Sequence, residues 1–304
     1  SFHTPRAFNY KKEPGRIRVV SWNVARFIEL KRNNNAGSEK RLKMFELLKK
    51  QDADVLCLQE FHTSTDSAFY DNITPIQKEL GYPYYYFSFD EDGDNHYYSS
   101  IIFSRYPIID SGKVRYPRPT LPEVLLQVDL KVNNDTIRVY TTHLQSNQFG
   151  KKDYERLGKI KSGDDSLVTN SRSILSKLKT GVSYRAIQAD IVDEVLDNSP
   201  YPLIFCADLN DVPNSYTYFT ARGDLQDAFL KKGSGIGRTF AAISPTLRID
   251  YIFAGKEFRI RQFNRIVRNL SDHYMLVADL ALKKQKKNTI FGFMLFFSIY
   301  TCCC

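Results

Sequence analysis

Cysteine is scarce in this chain, and its placement excludes two kinds of chemistry. Of the five cysteines, Cys302, Cys303 and Cys304 end the chain, while Cys57 in "DVLCLQE" and Cys206 in "PLIFCADLN" sit in apolar runs. Neither internal cysteine has the C-x-x-C spacing of a zinc or redox site, and no disulfide framework is visible, so both read as buried free thiols. Tryptophan occurs once. The strongly apolar tail "IFGFMLFFSIY" (Ile290–Tyr300) is about half the ~20 residues that a membrane-spanning helix needs. There is no internal repeat, which excludes solenoids, and no Pro/Gly/Ser-rich linker to divide the chain. An acidic excess is also missing. The 43 basic residues outnumber 34 acidic ones for a net charge of +9, a balance that suits a polyanionic partner such as nucleic acid or anionic lipid. Part of that excess is the "KKQKK" run (Lys283–Lys287), and a merely basic surface accounts for it better.

What the sequence does contain is a succession of short β-branched and apolar runs. "RIRVVSWNV" (Arg16–Val24) reads as a buried strand, "SEKRLKMFELLKK" as a helix with Ser38 as N-cap and Leu42, Phe45 and Leu48 at helical spacing, and "ADVLCLQE" as a second buried strand. The resulting βαβ start favours helices packed on a sheet face. "YYYFSF", "SSIIFS", "EVLLQVDLKV" and "DTIRVYTTHLQ" follow as strands, with Asn133, Asn134 and Asp135 making a hairpin turn between the last two. The tyrosines Tyr84–Tyr86 suit strand packing better than base stacking. Residues 146–165 form a long polar loop of the kind that borders binding sites. Its Lys151, Lys152, Arg156, Lys159 and Lys161 read as solvated charge as readily as phosphate ligands. "SLVTNSRSILSKLKT" and "YRAIQADIVDEVLDN" predict two amphipathic helices, "YPLIFCADLN" another buried strand, "SYTYFTA" a short helix, and "RIDYIFAG" and "HYMLVADLAL" the last strands. The expected organisation is an extended leader over 1–15, one α/β (α+β) domain over 16–282, and a basic then apolar tail over 283–304.

Polar residues recur where these strands end. Asn23 ends "VVSWN", Glu60 ends "VLCLQE", His143 ends "VYTTH", Asp208 and Asn210 end "IFCADLN", Asp250 lies in "RIDYIF", and Asp272 and His273 precede the last strand. Loops beyond strand ends are where α/β sheets place ligand chemistry. Metal-assisted phosphoester hydrolysis wants this set. A hard cation such as Mg²⁺ binds through one or two carboxylates plus water and phosphate; Glu60 and Asp272 can serve, with Asn23 as a neutral oxygen donor or water anchor. The histidines and Asn210 can donate to phosphate oxygens. A water nucleophile needs a base, and His273 held by Asp250 has a suitable pKa and tautomer. That pairing predicts that "RIDYIF" and "SDHYML" are neighbouring strands with their polar ends together.

The motifs "SWNV", "CLQE", "TTHLQ", "ADLND", "RIDYIF" and "SDH", together with "SSIIFSRYPI" (Ser99–Ile108), resemble in order and type those of the endonuclease/exonuclease/phosphatase superfamily. The resemblance spans Arg16 to Leu282. It implies a DNase I-like four-layer sandwich, two packed mixed β-sheets flanked by helices, with a divalent-metal phosphodiesterase or phosphatase site at one end. It also implies roles: Glu60, Asn23 and Asp272 at a Mg²⁺ or Mn²⁺ ion, His273 as base or phosphate contact with Asp250 as partner, Asp208 and Asn210 orienting the nucleophile and phosphate. His143 matches the second histidine of the branch containing DNase I-like nucleases, sphingomyelinases and deadenylases.

The sequence departs from the family pattern at Ala207, which stands where glycine is usual, and at Ser99 and Ser100. No acid that would buttress His143 is identifiable; Asp90, Glu91, Asp92 and Asp94 are the nearby candidates. The Phe149 loop and "SPYPLIFCADLNDVPNSYTY" resemble bacterial members with N-terminal membrane helices. The expected partners are therefore a phosphoester, either nucleic acid or a phospholipid head group, acted on by a monomer with a possible membrane tether upstream; otherwise the chain is expected to be cytoplasmic. The alternative is a catalytically silent binding domain on the same scaffold.

Overall fold

The computed structural model describes residues 8–28, 38–90, 95–117, 119, 123–147, 149, 153, 168–241 and 247–283, without the side chains of 168–173. Strand β1 (Ile17–Asn23) is buried along its whole length because its two faces serve two cores. Val19 packs between the sheets, whereas Val20 and Trp22 pack under helix α1 (Glu39–Gln51). Ser38 caps α1 by accepting from Arg41 N at 3.2 Å, which satisfies one of the helix's orphan donors. Met44, Phe45 and Leu48 form the buried face of α1; Leu42, expected there, is half exposed.

Two six-stranded sheets result. The first runs in the order β11 (Phe258–Ile266), β12 (Met275–Leu282), β1, β2 (Val55–Ser64), β4 (His96–Ser104) and β3 (Tyr84–Phe87). The second runs β5 (Ile108–Arg115), β6 (Val124–Val132), β7 (Asp135–His143), β8 (Leu203–Asp208), β10 (Asp250–Ala254) and β9 (Gln226–Asp227). Aliphatic side chains from both inner faces, among them Val55, Leu126, Val128, Ile204 and Ile252, fill the space between. On the outer face of the second sheet, Tyr140, Phe205 and Phe253 meet Ala189, Val192 and Leu196 of helix α3 (Val168–Asp197) and Tyr218 of helix α4 (Tyr216–Arg222). The order helix, sheet, sheet, helix is the expected DNase I-like four-layer sandwich, completed by short helices α2 (Ile73–Lys78) and α5 (Ala228–Lys232).

Three expectations are corrected. The two helices predicted between residues 166 and 198 are one continuous 30-residue helix, α3; Gly181 lies inside it and lets it approach the loop after β7, since a Cβ there would meet Asn147 Oδ1 at 2.5 Å. Strand β2 does not end at Glu60 but continues to Ser64. "RIDYIF" and "SDHYML" are not neighbouring strands of one sheet: β10 belongs to the second sheet and β12 to the first.

Both sheets are built around a parallel pair, β1 with β2 and β7 with β8. Parallel strands deliver their C-terminal ends to the same edge. Antiparallel β10 and β12 begin at that edge, so their N-terminal residues join it. At the other end, Arg18 is fully buried and binds Asp279 through Nε (2.7 Å) and Nη2 (3.0 Å). Its remaining N–H groups reach the carbonyls of Asn9, Tyr10 and Gln51, tying leader residues to the sheet. Cys57 and Cys206 are buried free thiols. The loop cations Lys151, Lys152, Arg156, Lys159 and Lys161, and the apolar tail, lie outside the described residues. Among the described residues no helix is long and apolar enough to cross a membrane.

Candidate active site

All eight residues singled out in the sequence come to the one edge where the parallel pairs end. Asn23, the last residue of β1, is fully buried and uses both ends of its amide. Its Nδ2 donates to Glu60 Oε1 and to Asp208 Oδ2, each at 3.0 Å, and its Oδ1 accepts from Ala25 N at 3.0 Å. Asn23 thus stitches the first sheet to the second.

Glu60 reaches this point through a distortion in its own strand. Leu58 pairs with Ile101 and Phe61 with Ser99, so Gln59 and Glu60 together oppose Ser100. This is a β-bulge, which re-aims a side chain. Glu60 carries it at φ 49°, a backbone region that non-glycine residues seldom occupy. The carboxylate remains partly exposed beside the cavity.

Asp208, at the end of β8, sits between two histidines. Its Oδ2 is 3.7 Å from His143 Nε2 and 3.6 Å from His273 Nδ1, and its Oδ1 accepts from Asn210 N at 2.9 Å. Asn210, itself at φ 50°, donates through Nδ2 to Leu144 O and to His143 Nε2, both at 2.9 Å. In the neutral ring, that contact, with Nδ1 of His143 on Glu123 Oε1 at 3.1 Å, has Nδ1–H donating to Glu123 and Nε2 accepting. Burial alone would lower the pKa of His143, but Glu123, Asp208 and Glu60 outweigh it and raise it to about 10.

Glu123 is the buttress that the sequence reading did not identify. Asp90 instead pairs with Arg115, and Glu91, Asp92 and Asp94 lie outside the described residues. A signal was present in the hairpin. With Val132 opposite Asp135 and Leu125 opposite Thr142, the register runs on to bring Val124, and Glu123 beside it, level with His143.

His273 faces Asp250 across the two sheets. Its Nδ1 lies 3.0 Å from both Asp250 oxygens, which leaves Nε2 for the cavity side. Burial would lower its pKa, yet Asp250 and then Asp208 raise it to about 10; burial raises Asp250 to about 6 against the pull of His273. Three contacts hold the ring's backbone: Trp22 Nε1 on His273 O (3.0 Å), His273 N on Ser271 Oγ (3.2 Å), and Ser271 Oγ on Asn23 O (2.8 Å). Phe240 packs against the imidazole with centroids 4.9 Å apart. Asp272 is exposed, and its Oδ1 accepts from Ser271 Oγ at 3.2 Å.

A cavity of about 410 Å³ opens beside Glu60, His143, Asn210, Asp272 and His273. Two donor sets there could hold a metal. Asp208, Asp250 and His273 bring one ligand atom each within 4.8 Å of the others, but those atoms are buried and already bind one another. Glu60 and Asp272 offer carboxylate oxygens to the cavity itself, the oxygen-only set that a hard divalent cation prefers. Arg185, also missed in the sequence, is buried and donates to Asp211 (3.1 Å), Gln145 O and Asn147 (both 3.0 Å), fixing the loop after β7 against α3.

Comparisons with known proteins bear on the same residues. The sequence model of the Endonuclease/Exonuclease/phosphatase family matches residues 20–273. No curated protein sequence matches. Among solved structures, an endonuclease/exonuclease/phosphatase from Beutenbergia cavernae is 22% identical with a TM-score of 0.59, over 88% of this chain and 72% of that one. The human Nocturnin catalytic domain with a bound sulfate anion is 19% identical (TM-score 0.58; 88% and 94% covered). D. rerio TDP2 complexed with single strand DNA product is 17% identical (TM-score 0.59; 87% and 98% covered). At these identities the likeness is one of fold.

Proposed function

This chain belongs to the endonuclease/exonuclease/phosphatase family, and we propose that it is a divalent-metal-dependent phosphoester hydrolase using a water activated by His273 and Asp250. The observation that carries this reading is Asp208 lying between two carboxylate-held histidines at the edge where Asn23 and Glu60 meet. A silent scaffold would have no reason to maintain two buried His–carboxylate pairs, because burying charge is costly unless every group is paired.

Glu60 and Asp272 would hold Mg²⁺ or Mn²⁺. Asn23 serves that site by fixing the Glu60 carboxylate through Nδ2. When bound, the cation offsets charge on the phosphate and on the departing oxygen. The chain's own residues supply the rest. Asp250 holds His273 with Nε2 toward the cavity, where the deprotonated ring takes a proton from water; because Asp250 and Asp208 raise its pKa to about 10, that form grows as pH rises. The water oxygen bonds to phosphorus as the ester P–O bond breaks, and the departing alkoxide takes up a proton and leaves as an alcohol. Asp208, held in place by the Asn23 and Asn210 hydrogen bonds, orients the water, while His143 and Asn210 stabilise charge on the phosphate oxygens.

Nucleic acid, phospholipid and phosphorylated small molecules all contain the bond this site would cleave, and the fold does not choose among them: similar structures include one with a DNA product and a mannosyl-6-phosphatase from Bacteroides thetaiotaomicron. Hydrolysis of bis-nitrophenyl phosphate tests the reaction class. Activity should vanish after exhaustive EDTA treatment and return with Mg²⁺ or Mn²⁺ more fully than with Ca²⁺. Undiminished activity in EDTA would overturn the metal assignment, and none under any metal would overturn the hydrolase.

A further inference from the structure

Only part of the cavity wall is accounted for by the reaction. Besides the carboxylates and histidines it is lined by Phe149, Leu178, Val182, Val212, Leu247 and Ile249. Five of these six are aliphatic, and they come from four separate segments: the loop after β7, helix α3, the loop after β8 and the residues leading into β10. The shelf also continues outward. On α3, Leu175, Leu178 and Val182 share one helical face by their i, i+3, i+7 spacing, and Leu175 is 65% and Val182 48% exposed. Leaving large apolar side chains in water beside a polar site is unfavourable, so the stripe calls for a function.

We propose that this shelf is the binding subsite for an alkyl or acyl chain carried by the phosphoester substrate, making the substrate an amphiphile. This rests on the phosphoesterase reading for the phosphate half of the ligand. The shelf lines the same cavity as the histidines and Asp272, so its occupant would present an apolar group near the phosphorus. Nucleic acid fits the wall less well. A strand-binding groove combines basic residues along the backbone with aromatic platforms for the bases. Among the described lining residues the only lysine or arginine is Arg185, whose N–H groups are already held by Asp211, Gln145 and Asn147. Of the two lining rings, Phe149 and Phe240, the second is packed against His273. An aliphatic wall gains by burying methylenes and offers no specific geometry to a base.

Calorimetric binding of octyl phosphate and of methyl phosphate, both monomeric and with Mg²⁺ present, tests the shelf without needing turnover. Octyl phosphate should bind at least tenfold more tightly, equivalent to about 1.4 kcal/mol. V182D, on an exposed position, should reduce that ratio to below about threefold while retaining the wild-type melting temperature, and L178D should do the same. Equal affinities for the two phosphates, no measurable binding of octyl phosphate, or a ratio unchanged in both variants would overturn the proposal. So would a thymidine monophosphate affinity above that of octyl phosphate, which would mark the wall as a base site. Because these are binding measurements, a protein that hydrolyses nothing but still discriminates by chain length refutes the hydrolase and keeps the shelf.

Discussion

Removing the carboxylate behind His143 isolates one contact that the structure adds to the candidate site. Glu123 is buried and accepts from His143 Nδ1 at 3.1 Å, so the imidazole is held from behind while Nε2 faces Asn210, Asp208 and Glu60. A hydrogen bond with a charged partner contributes about 1.5–3 kcal/mol net. If His143 stabilises charge on the phosphate in the transition state, losing its orientation should raise the barrier by a similar amount, roughly 10- to 100-fold in kcat. Glu123→Ala should therefore lower kcat on bis-nitrophenyl phosphate by that factor. Glu123→Gln keeps a carbonyl acceptor at the same place and should recover most of the loss. Steady-state kinetics with saturating Mg²⁺, on variants whose near-ultraviolet circular dichroism matches wild type, make the measurement. A Glu123→Ala enzyme with wild-type kcat would show that His143 needs no buttress. Equal losses in the two variants would point to charge rather than orientation.

The other expectations concern separate parts of the molecule. Glu60→Gln should raise the Mg²⁺ concentration needed for half-maximal activity at least tenfold without lowering the melting temperature; unchanged metal dependence would remove Glu60 from the ligand set. His273→Ala should cost about 2–5 kcal/mol of transition-state stabilisation and Asp250→Asn less, since the second removes orientation but leaves the imidazole. The double variant should be little worse than His273→Ala, because groups that act as a unit are not additive; additive losses in kcat/KM would refute the pairing. Far from the site, Arg18→Met strands the fully buried Asp279 carboxylate and should cost about 3–5 kcal/mol of stability in urea unfolding. A loss under about 1 kcal/mol would mean that water reaches Asp279.

Much of this protein was determined by local sequence alone. The alternation in "IRVVSWN" and the Asn133–Asn134 turn are short-range signals, and strand, hairpin and capped helix appeared where they were expected. Polar residues at strand ends were legible for the same reason: they interrupt an apolar pattern, and the chain's order places them at one edge once the central pairs are parallel. Tertiary structure decided what no local pattern encodes. The bulge that turns Glu60 toward Asn23 depends on how β2 pairs with β4, and "VLCLQE" by itself looked like a strand that stops. His273 and Asp250 meet although their strands lie in different sheets, a contact created by sheet-on-sheet packing and invisible to any register within a sheet. Leu178 lies in a segment that read only as an amphipathic helix; the packed molecule is what brings it, with Val182, to the wall of the cavity. A run of residues specifies which of its faces is apolar, but what that face meets is set by elements distant in sequence, through packing that is not periodic in the chain.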